Sequence, residues 1–204
     1  MAYSNPTAPS KVETPKGAAI FMVGAVLLLW VLEAIDTVLL NALDRLGIHA
    51  QEPLGWVGIF FAPFLHLGFG HLIANTLPLL VLGFLILVGR GGALRMAWAT
   101  LITAISSGLA AWLLTPAHTV IVGASGIVFG WLTYLMARGF FARDVKSIVI
   151  SIAVFLVYGS VLFGVFPTAA GVSWQAHLGG AIGGVLAAWL MHRRAVSKPT
   201  AYAR

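Results

Sequence analysis

Four polar side chains in an otherwise apolar chain have the residue types needed to hydrolyse an amide bond. Ser125 lies in a Val-Gly-Ala-Ser-Gly run, His177 lies in a Gln-Ala-His-Leu-Gly-Gly run, and His71 and Asn75 stand four residues apart. A serine hydroxyl is a weak nucleophile until a base takes its proton, and His177 can be that base. Asn75, His71 and the backbone N–H of Ser125 can donate to a developing oxyanion. These residues predict a nucleophile, a base and an oxyanion-binding side.

The composition places these residues in a membrane protein. Of 204 residues, 60% are apolar and 9% are charged, whereas soluble globular chains carry roughly 25% charged residues. The mean hydropathy is +0.97. This composition excludes a soluble domain, a disordered chain and a nucleic-acid-binding protein. Cysteine is absent, so disulfides and thiolate metal sites are also excluded.

Six stretches approach the length of about 20 apolar residues that a membrane helix needs. They are roughly residues 17–40, 68–89, 93–114, 120–138, 146–163 and 173–192. We therefore predict an all-α, polytopic membrane protein with a bundle of six transmembrane helices in residues 17–192. A disordered cytoplasmic tail at 1–16 and a basic cytoplasmic tail at 193–204 are expected to flank it.

The basic residues predict the orientation of the bundle. Eleven of the twelve Lys and Arg residues fall in segments that six spans place on one side, and Arg45 falls on the other. Lys and Arg favour the cytoplasmic side of short loops, so both termini are predicted to be cytoplasmic. The sequence shows no organelle-targeting signal, which favours a bacterial plasma membrane.

The four chemical residues are predicted to share one depth near the outer surface. Ser125 lies about five residues into span four, roughly 7–8 Å, and His177 lies about four residues into span six, roughly 6 Å. His71 and Asn75 lie on one face of span two by their i, i+4 spacing. Three helices would thus contribute polar groups to one layer that is shielded from lipid but reachable by water.

Small residues predict which helices touch. Gly126 and Gly130 form a small-x-x-x-small pair on span four, and span six carries Gly179, Gly180, Gly183 and Gly184. Such faces let helix backbones approach closely. If the two faces meet, Ser125 and His177 come within reach of each other.

An acidic third member is not evident. No Asp or Glu lies between Pro53 and Arg143, and Glu33 and Asp36 on span one are the acidic residues able to approach. A Ser–His dyad is therefore predicted instead of a triad.

Two other site chemistries fit less well. A metal site of His66, His71 and His177 is not favoured, because no His-Glu-x-x-His run or intramembrane carboxylate accompanies these residues. Gly-Ala-Ser-Gly-Ile also differs from the Gly-x-Ser-x-Gly motif of soluble hydrolases.

Taken in order along the chain, three motifs resemble those of the rhomboid intramembrane serine proteases. They are His66-x4-His71-x3-Asn75, the Gly-Ala-Ser-Gly run that ends at Gly126, and the Ala-His-x-Gly-Gly run that ends at Gly180. The resemblance implies that Ser125 is the nucleophile, His177 the general base, and His71 and Asn75 the oxyanion side. It implies a structural role for His66, positions flanking the nucleophile for Gly123 and Gly126, and helix packing for Gly180 and Gly184. The implied partners are transmembrane protein substrates cut near the outer membrane face, and no cofactor is implied.

Two departures from the family pattern are visible. Many relatives have a Trp-Arg pair in the first outer loop, whereas here Val57 follows Trp56 and Arg45 is remote. Relatives often have a Tyr one turn after the nucleophile, where this chain has Phe129. We expect the Phe129 ring to stack on His177.

Two other functions remain as alternatives. A catalytically silent rhomboid-like protein that binds membrane helices would keep the scaffold, although such a protein would typically have lost Ser125 or His177. A small transporter would show broken helices or repeats, and none is visible.

Overall fold

Six α-helices form most of the computed structural model, which describes residues 9–89, 91–167 and 171–192. They are α1 (Pro15–Val38), α2 (Phe69–Leu87), α3 (Gly92–Leu114), α4 (Ser125–Ala142), α5 (Val145–Tyr158) and α6 (Trp174–His192). Among the described residues, α1, α2, α3 and the stretch Val145–Val165 are long and apolar enough to cross a bilayer. The predicted all-α architecture of a polytopic membrane protein is confirmed.

Helix α4 is the central helix of the bundle. Every residue from 128 to 135 is buried, and α4 contacts α2, α3, α5 and α6. Its most extensive contact is with α6. The helix that begins with Ser125 is therefore held on several sides by neighbouring helices.

Glycine residues form the contact between α4 and α6. The backbone carbonyl of Gly126 stands where a β-carbon on Gly180 would lie, and the carbonyl of Gly130 stands where one on Gly184 would lie. The two predicted glycine faces thus meet, and only residues without a side chain allow this approach.

The other two glycines of α6 face a different helix. A β-carbon on Gly179 would press on Ala110 of α3, and one on Gly183 would press on Ser106 of α3. Adjacent residues on a helix point about 100° apart, because 3.6 residues make one turn. The four glycines of α6 therefore contact two neighbouring helices, α3 and α4, whereas the sequence pattern predicts contact with span four.

The predicted start of span four at residue 120 is wrong. Residues Val120–Ile121 form a short strand, β2, which pairs antiparallel with β1 (Ile48–His49). After it, Gly123 has φ +121° and its N–H donates to the carbonyl of Ala62 at 2.8 Å. Ser125 is consequently the first residue of α4 and does not lie a helical turn or more inside it. A short apolar run does not distinguish a strand from the beginning of a buried helix.

The loop between α1 and α2 packs against α3. It contains β1 and 3-10 turns at Leu43–Leu46, Gly55–Phe60 and Ala62–Phe64. The indole N–H of Trp112 on α3 donates to the carbonyl of Glu52, and the N–H of Gln51 donates to the carbonyl of Trp112. These bonds anchor the loop to α3 through residues other than a Trp-Arg pair.

The folded part of the chain begins earlier than predicted. Lys11–Glu13 form a 3-10 turn and α1 begins at Pro15, so residues 11–16 are not a disordered tail. The Glu13 carboxylate accepts the N–H groups of Ser10 and Ala93 at 2.9 and 3.1 Å. These hydrogen bonds lower the pKa of Glu13. Residues 1–8 and the predicted basic tail at 193–204 lie outside the described residues.

Candidate active site

Ser125 and His177 face each other across the contact between α4 and α6. Ser125 begins α4, His177 lies in the first turn of α6, and its Nε2 is 2.9 Å from the Ser125 Oγ. His177 is only 6% exposed. The glycine contact between the two helices sets this distance, because a wider separation would carry the pair beyond hydrogen-bonding range.

A backbone carbonyl fixes the tautomer of His177. The Nδ1 atom lies 2.9 Å from the carbonyl oxygen of Gly164, in the 3-10 turn Gly159–Val165 that follows α5. A carbonyl can only accept, so Nδ1 must carry the hydrogen in the neutral imidazole. The lone pair of Nε2 therefore points at Ser125 and accepts its hydroxyl hydrogen.

The imidazole of His177 is also held on its face. The Phe129 ring stacks on it, with ring centroids 4.0 Å apart and planes 10° from parallel. A β-carbon on Gly164 would lie 2.7 Å from Cζ of Phe129 and 3.3 Å from Nδ1 of His177. The absence of a side chain at residue 164 thus leaves room for the stacked pair.

The two acidic residues able to approach the site by sequence do not bond to His177. Glu33 and Asp36 are buried near the end of α1, where Asp36 Oδ1 accepts the N–H of Leu43 at 2.7 Å. Both ring nitrogens of His177 are engaged by Ser125 and Gly164. The position of an acidic third member is taken by a neutral carbonyl.

His71 and Asn75 line the same cavity as Ser125 and His177. The Asn75 side-chain amide donates one hydrogen to the carbonyl of His71 at 3.1 Å, which leaves its second hydrogen for another acceptor. A β-carbon on Gly123 would lie 2.5 Å from Cε1 of His71, so the chain leading to Ser125 passes directly against this imidazole. His71, Asn75 and Ser125 therefore border one space.

His66 supports His71 from behind. It is 1% exposed and its ring meets that of His71 edge to face, with centroids 5.2 Å apart. Burial, and to a lesser extent the neighbouring His71, lowers the pKa of His66 to about 4, so His66 is neutral near pH 7. Of the three histidines considered as metal ligands, His66 and His71 thus form an edge-to-face pair, while His177 bonds to Ser125 and Gly164.

The cavity in front of Ser125 has a volume of about 980 Å³. Specific ligand pockets usually range from about 300 to 1,000 Å³, so it can hold an extended peptide segment. One wall is formed by Ser107 of α3, which donates to the carbonyl of Ala176 at 2.9 Å and occupies the space that a side chain on Gly126 would fill. This contact holds the residue before His177 to a third helix.

Sequence reasoning missed Gly164 and Ser107. Gly164 accepts from His177 with its carbonyl and leaves room for the Phe129 ring by lacking a side chain, and neither contribution can be recognised without the tertiary structure. Ser107 is one of several small polar residues on α3, and only the packing against Gly126 distinguishes it. Both contributions depend on which helices meet.

Comparisons with known proteins find similarity over most of the chain. A family model described as Rhomboid domain matches residues 53–194, which include all four site residues. The chain is 45% identical over 174 residues to an uncharacterized protein of Mycobacterium tuberculosis, with 81% of this chain and 72% of that protein covered. It is 44% identical over 172 residues to an uncharacterized protein of Mycobacterium leprae, with 80% and 67% covered. It is also 27% identical over 152 residues to Rhomboid-like protein 11, chloroplastic, of Arabidopsis thaliana, with 68% and 53% covered.

Proposed function

The chain belongs to the rhomboid family, and we propose that it is an intramembrane serine protease that uses a Ser125–His177 dyad. The observation that carries this proposal is the 2.9 Å contact between Ser125 Oγ and the Nε2 atom of His177. This contact has the polarity that general-base catalysis needs, since Nδ1 is the donor to Gly164.

The proposed mechanism follows from these positions. His177 Nε2 takes the hydroxyl proton while Ser125 Oγ attacks the scissile carbonyl, and Gly164 accepts from the Nδ1–H of the resulting imidazolium. Asn75, His71 and the backbone N–H of Ser125 donate to the oxyanion. His177 then protonates the leaving amine, and water hydrolyses the acyl-enzyme by the same route in reverse.

The substrates that we propose are proteins that span the membrane. Lys11, Lys16 and the turn between α4 and α5 lie at the end of the bundle opposite Ser125, so the positive-inside rule supports cytoplasmic termini and a site near the outer face. A substrate helix must unwind at its end, because a helical peptide bond is shielded by the neighbouring turns. Two of the matched relatives are mycobacterial, which supports a bacterial plasma membrane.

We propose that substrates enter the cavity in front of Ser125 by passing between α2 and α5. Helix α5 packs on α4, but only 6% of the most apolar part of Val145–Val165 is buried inside the protein. In the corresponding parts of α1, α2 and α3 the buried share is 28–39%. The least buried helix can be displaced with the smallest loss of packing.

The direct test is covalent labelling of the purified protein with a fluorophosphonate, followed by mapping of the modified residue by mass spectrometry. Labelling of Ser125, together with cleavage of a transmembrane substrate in proteoliposomes, would support the proposal. A folded protein that binds such a substrate but neither reacts nor cleaves would support the catalytically silent alternative.

Gly164→Ala is expected to slow fluorophosphonate labelling about 10-fold or more, because a small displacement of a catalytic group has large kinetic effects. The new β-carbon would press on Phe129 and His177 and shift the carbonyl from Nδ1. Gly159→Ala in the same 3-10 turn is the matched control, since its β-carbon would lie 3.2 Å from the exposed ring of Phe155. Equal labelling rates for the two variants would show that residue 164 does not position the base.

Asn75→Ala is expected to lower kcat by about 10²–10³-fold with little change in KM, because an oxyanion donor acts mainly in the transition state. Thr76→Val is a suitable control, because it removes a polar group from the next residue of α2. The Thr76 hydroxyl accepts a hydrogen bond from the Trp30 indole and donates one to the carbonyl of Leu72. Steady-state cleavage in proteoliposomes measures both variants. An Asn75→Ala protein that raises only KM would assign Asn75 to substrate binding.

A further inference from the structure

A second cavity of about 520 Å³ lies between α1 and α3, behind the wall of the active-site cavity. The first loop covers it through the 3-10 turns that contain Ile59 and Pro63, and Ile127 and Trp131 of α4 line its inner side. Ala124 and Ile127 belong to its lining and flank Ser125 at a distance of one or two residues. Whatever fills this cavity therefore supports the beginning of α4.

The lining of this second cavity is almost entirely carbon. Among its described lining residues, the polar side-chain groups are the Thr100 hydroxyl and the Trp131 indole N–H, and they are bonded to each other at 3.1 Å. Water in a cavity needs two to four polar partners. The cavity therefore favours an apolar occupant over water or a polar ligand.

The cavity opens between two helices that can cross a bilayer. Phe21 and Leu28 on α1 and Leu101 and Ile105 on α3 line it and are each 43–50% exposed. In a membrane, a carbon-lined opening between such helices faces the hydrocarbon of the lipid.

The dimensions select among hydrocarbon occupants. Along α1 the cavity extends from Phe21 to Leu29, which is about 12 Å at a rise of 1.5 Å per residue. A transmembrane helix has about 20 residues and is about 30 Å long, so the cavity could enclose less than half of one. The cavity is thus too short for the transmembrane helix of a substrate or of a second copy, and the first loop covers it, whereas part of an extended hydrocarbon chain fits this length.

We propose that one acyl chain of a membrane phospholipid occupies this cavity and holds the first loop and the start of α4 in place. The chain enters between α1 and α3 and buries its methylene groups against the carbon-lined wall, with a favourable free energy that grows with each CH₂ buried. This lipid site does not depend on the proposed proteolytic activity, so binding and stability can test it directly.

Filling the cavity with a side chain tests the proposal. Ala25 lines the cavity on α1, so Ala25→Phe places a phenyl group inside it, whereas Val23→Phe places the same group on an exposed position outside the lining. Full-length protein is purified in detergent, depleted of lipid, and titrated with dioleoyl phosphatidylglycerol while the apparent Tm is measured. A ligand that binds the folded state raises Tm, so wild type and Val23→Phe should gain several degrees and Ala25→Phe should gain none. Native mass spectrometry should find one retained phospholipid in the first two proteins and none in the third.

Two results would overturn the proposal. One is an equal Tm gain and equal lipid retention in all three proteins, which would assign the effect to lipid on the outer surface. The other is an equal Tm gain from oleic acid, which would assign the cavity to a free fatty acid. If Ala25→Phe does not fold, Ala97→Phe fills the cavity from α3 and replaces it in both measurements.

Discussion

Ser125→Ala and His177→Ala should each reduce cleavage of a transmembrane substrate by roughly 10⁴-fold or more, and the double variant should be no slower than either single variant. Neither residue is useful without the other, because an unactivated hydroxyl is a weak nucleophile and a base without a nucleophile only orients water. The 2.9 Å contact between Ser125 Oγ and His177 Nε2 is the physical reason for expecting this non-additivity.

Initial rates in proteoliposomes measure this effect, and the apparent Tm of each variant shows whether it is folded. His118→Ala is a matched histidine control, because the side chain of His118 is 87% exposed and interacts with Glu52. It should cleave at the wild-type rate. Losses from the two single variants that multiply in the double variant would refute a dyad, as would wild-type cleavage by Ser125→Ala.

A neutral partner for His177 suits a site inside a membrane bundle. In soluble serine proteases a carboxylate holds the histidine tautomer, but a buried carboxylate is costly to desolvate and more so in lipid. The Gly164 carbonyl holds the same tautomer without a charge. This arrangement is consistent with the absence of Asp and Glu from Pro53 to Arg143, and it stabilises the imidazolium less than a carboxylate would.

The side chains of the candidate site could be predicted from the sequence, because their types and order are unusual in an apolar chain. The predicted depth of these side chains is only partly correct. The sequence pattern places Ser125 about five residues into span four, whereas Ser125 is the first residue of α4. The two residues meet because both lie in the first turn of a helix and because Gly126 and Gly180 let those turns touch.

Other features could not be predicted because they belong to the backbone or to tertiary packing. The carbonyl of Gly164 has no side-chain signature, and Val120–Ile121 forms a strand only because Ile48–His49 lies beside it. The division of the α6 glycines between α3 and α4 follows from the position of a third helix. Hydrophobic runs locate helices, whereas their exact ends depend on contacts made elsewhere in the chain.

Gly184→Ala should destabilise the protein and slow the chemistry although residue 184 lies two turns from His177. The new β-carbon would press on the carbonyl of Gly130 and on Oγ1 of Thr133, whose hydroxyl donates to the carbonyl of Ala181 at 2.8 Å. Overpacking of this kind costs about 1–3 kcal/mol, and each kcal/mol lowers Tm by roughly 2–4 °C in a chain of this length. Moving α6 from α4 by a fraction of an ångström also lengthens the Ser125–His177 contact, and a 1 Å misplacement can cost about 10²-fold in rate.

Gly24→Ala is the matched control, because a β-carbon on Gly24 of α1 meets nothing within 4 Å. For Gly184→Ala, both the Tm measured by thermal unfolding in detergent and the rate of fluorophosphonate labelling should fall. For Gly24→Ala, both should stay at or above the wild-type values. A lower Tm with an unchanged labelling rate would show that α4 and α6 tolerate separation without losing the dyad. In that case the first turns of the two helices, held by Gly126, Gly180 and the Ser107 bond to Ala176, would be sufficient to keep Ser125 and His177 together.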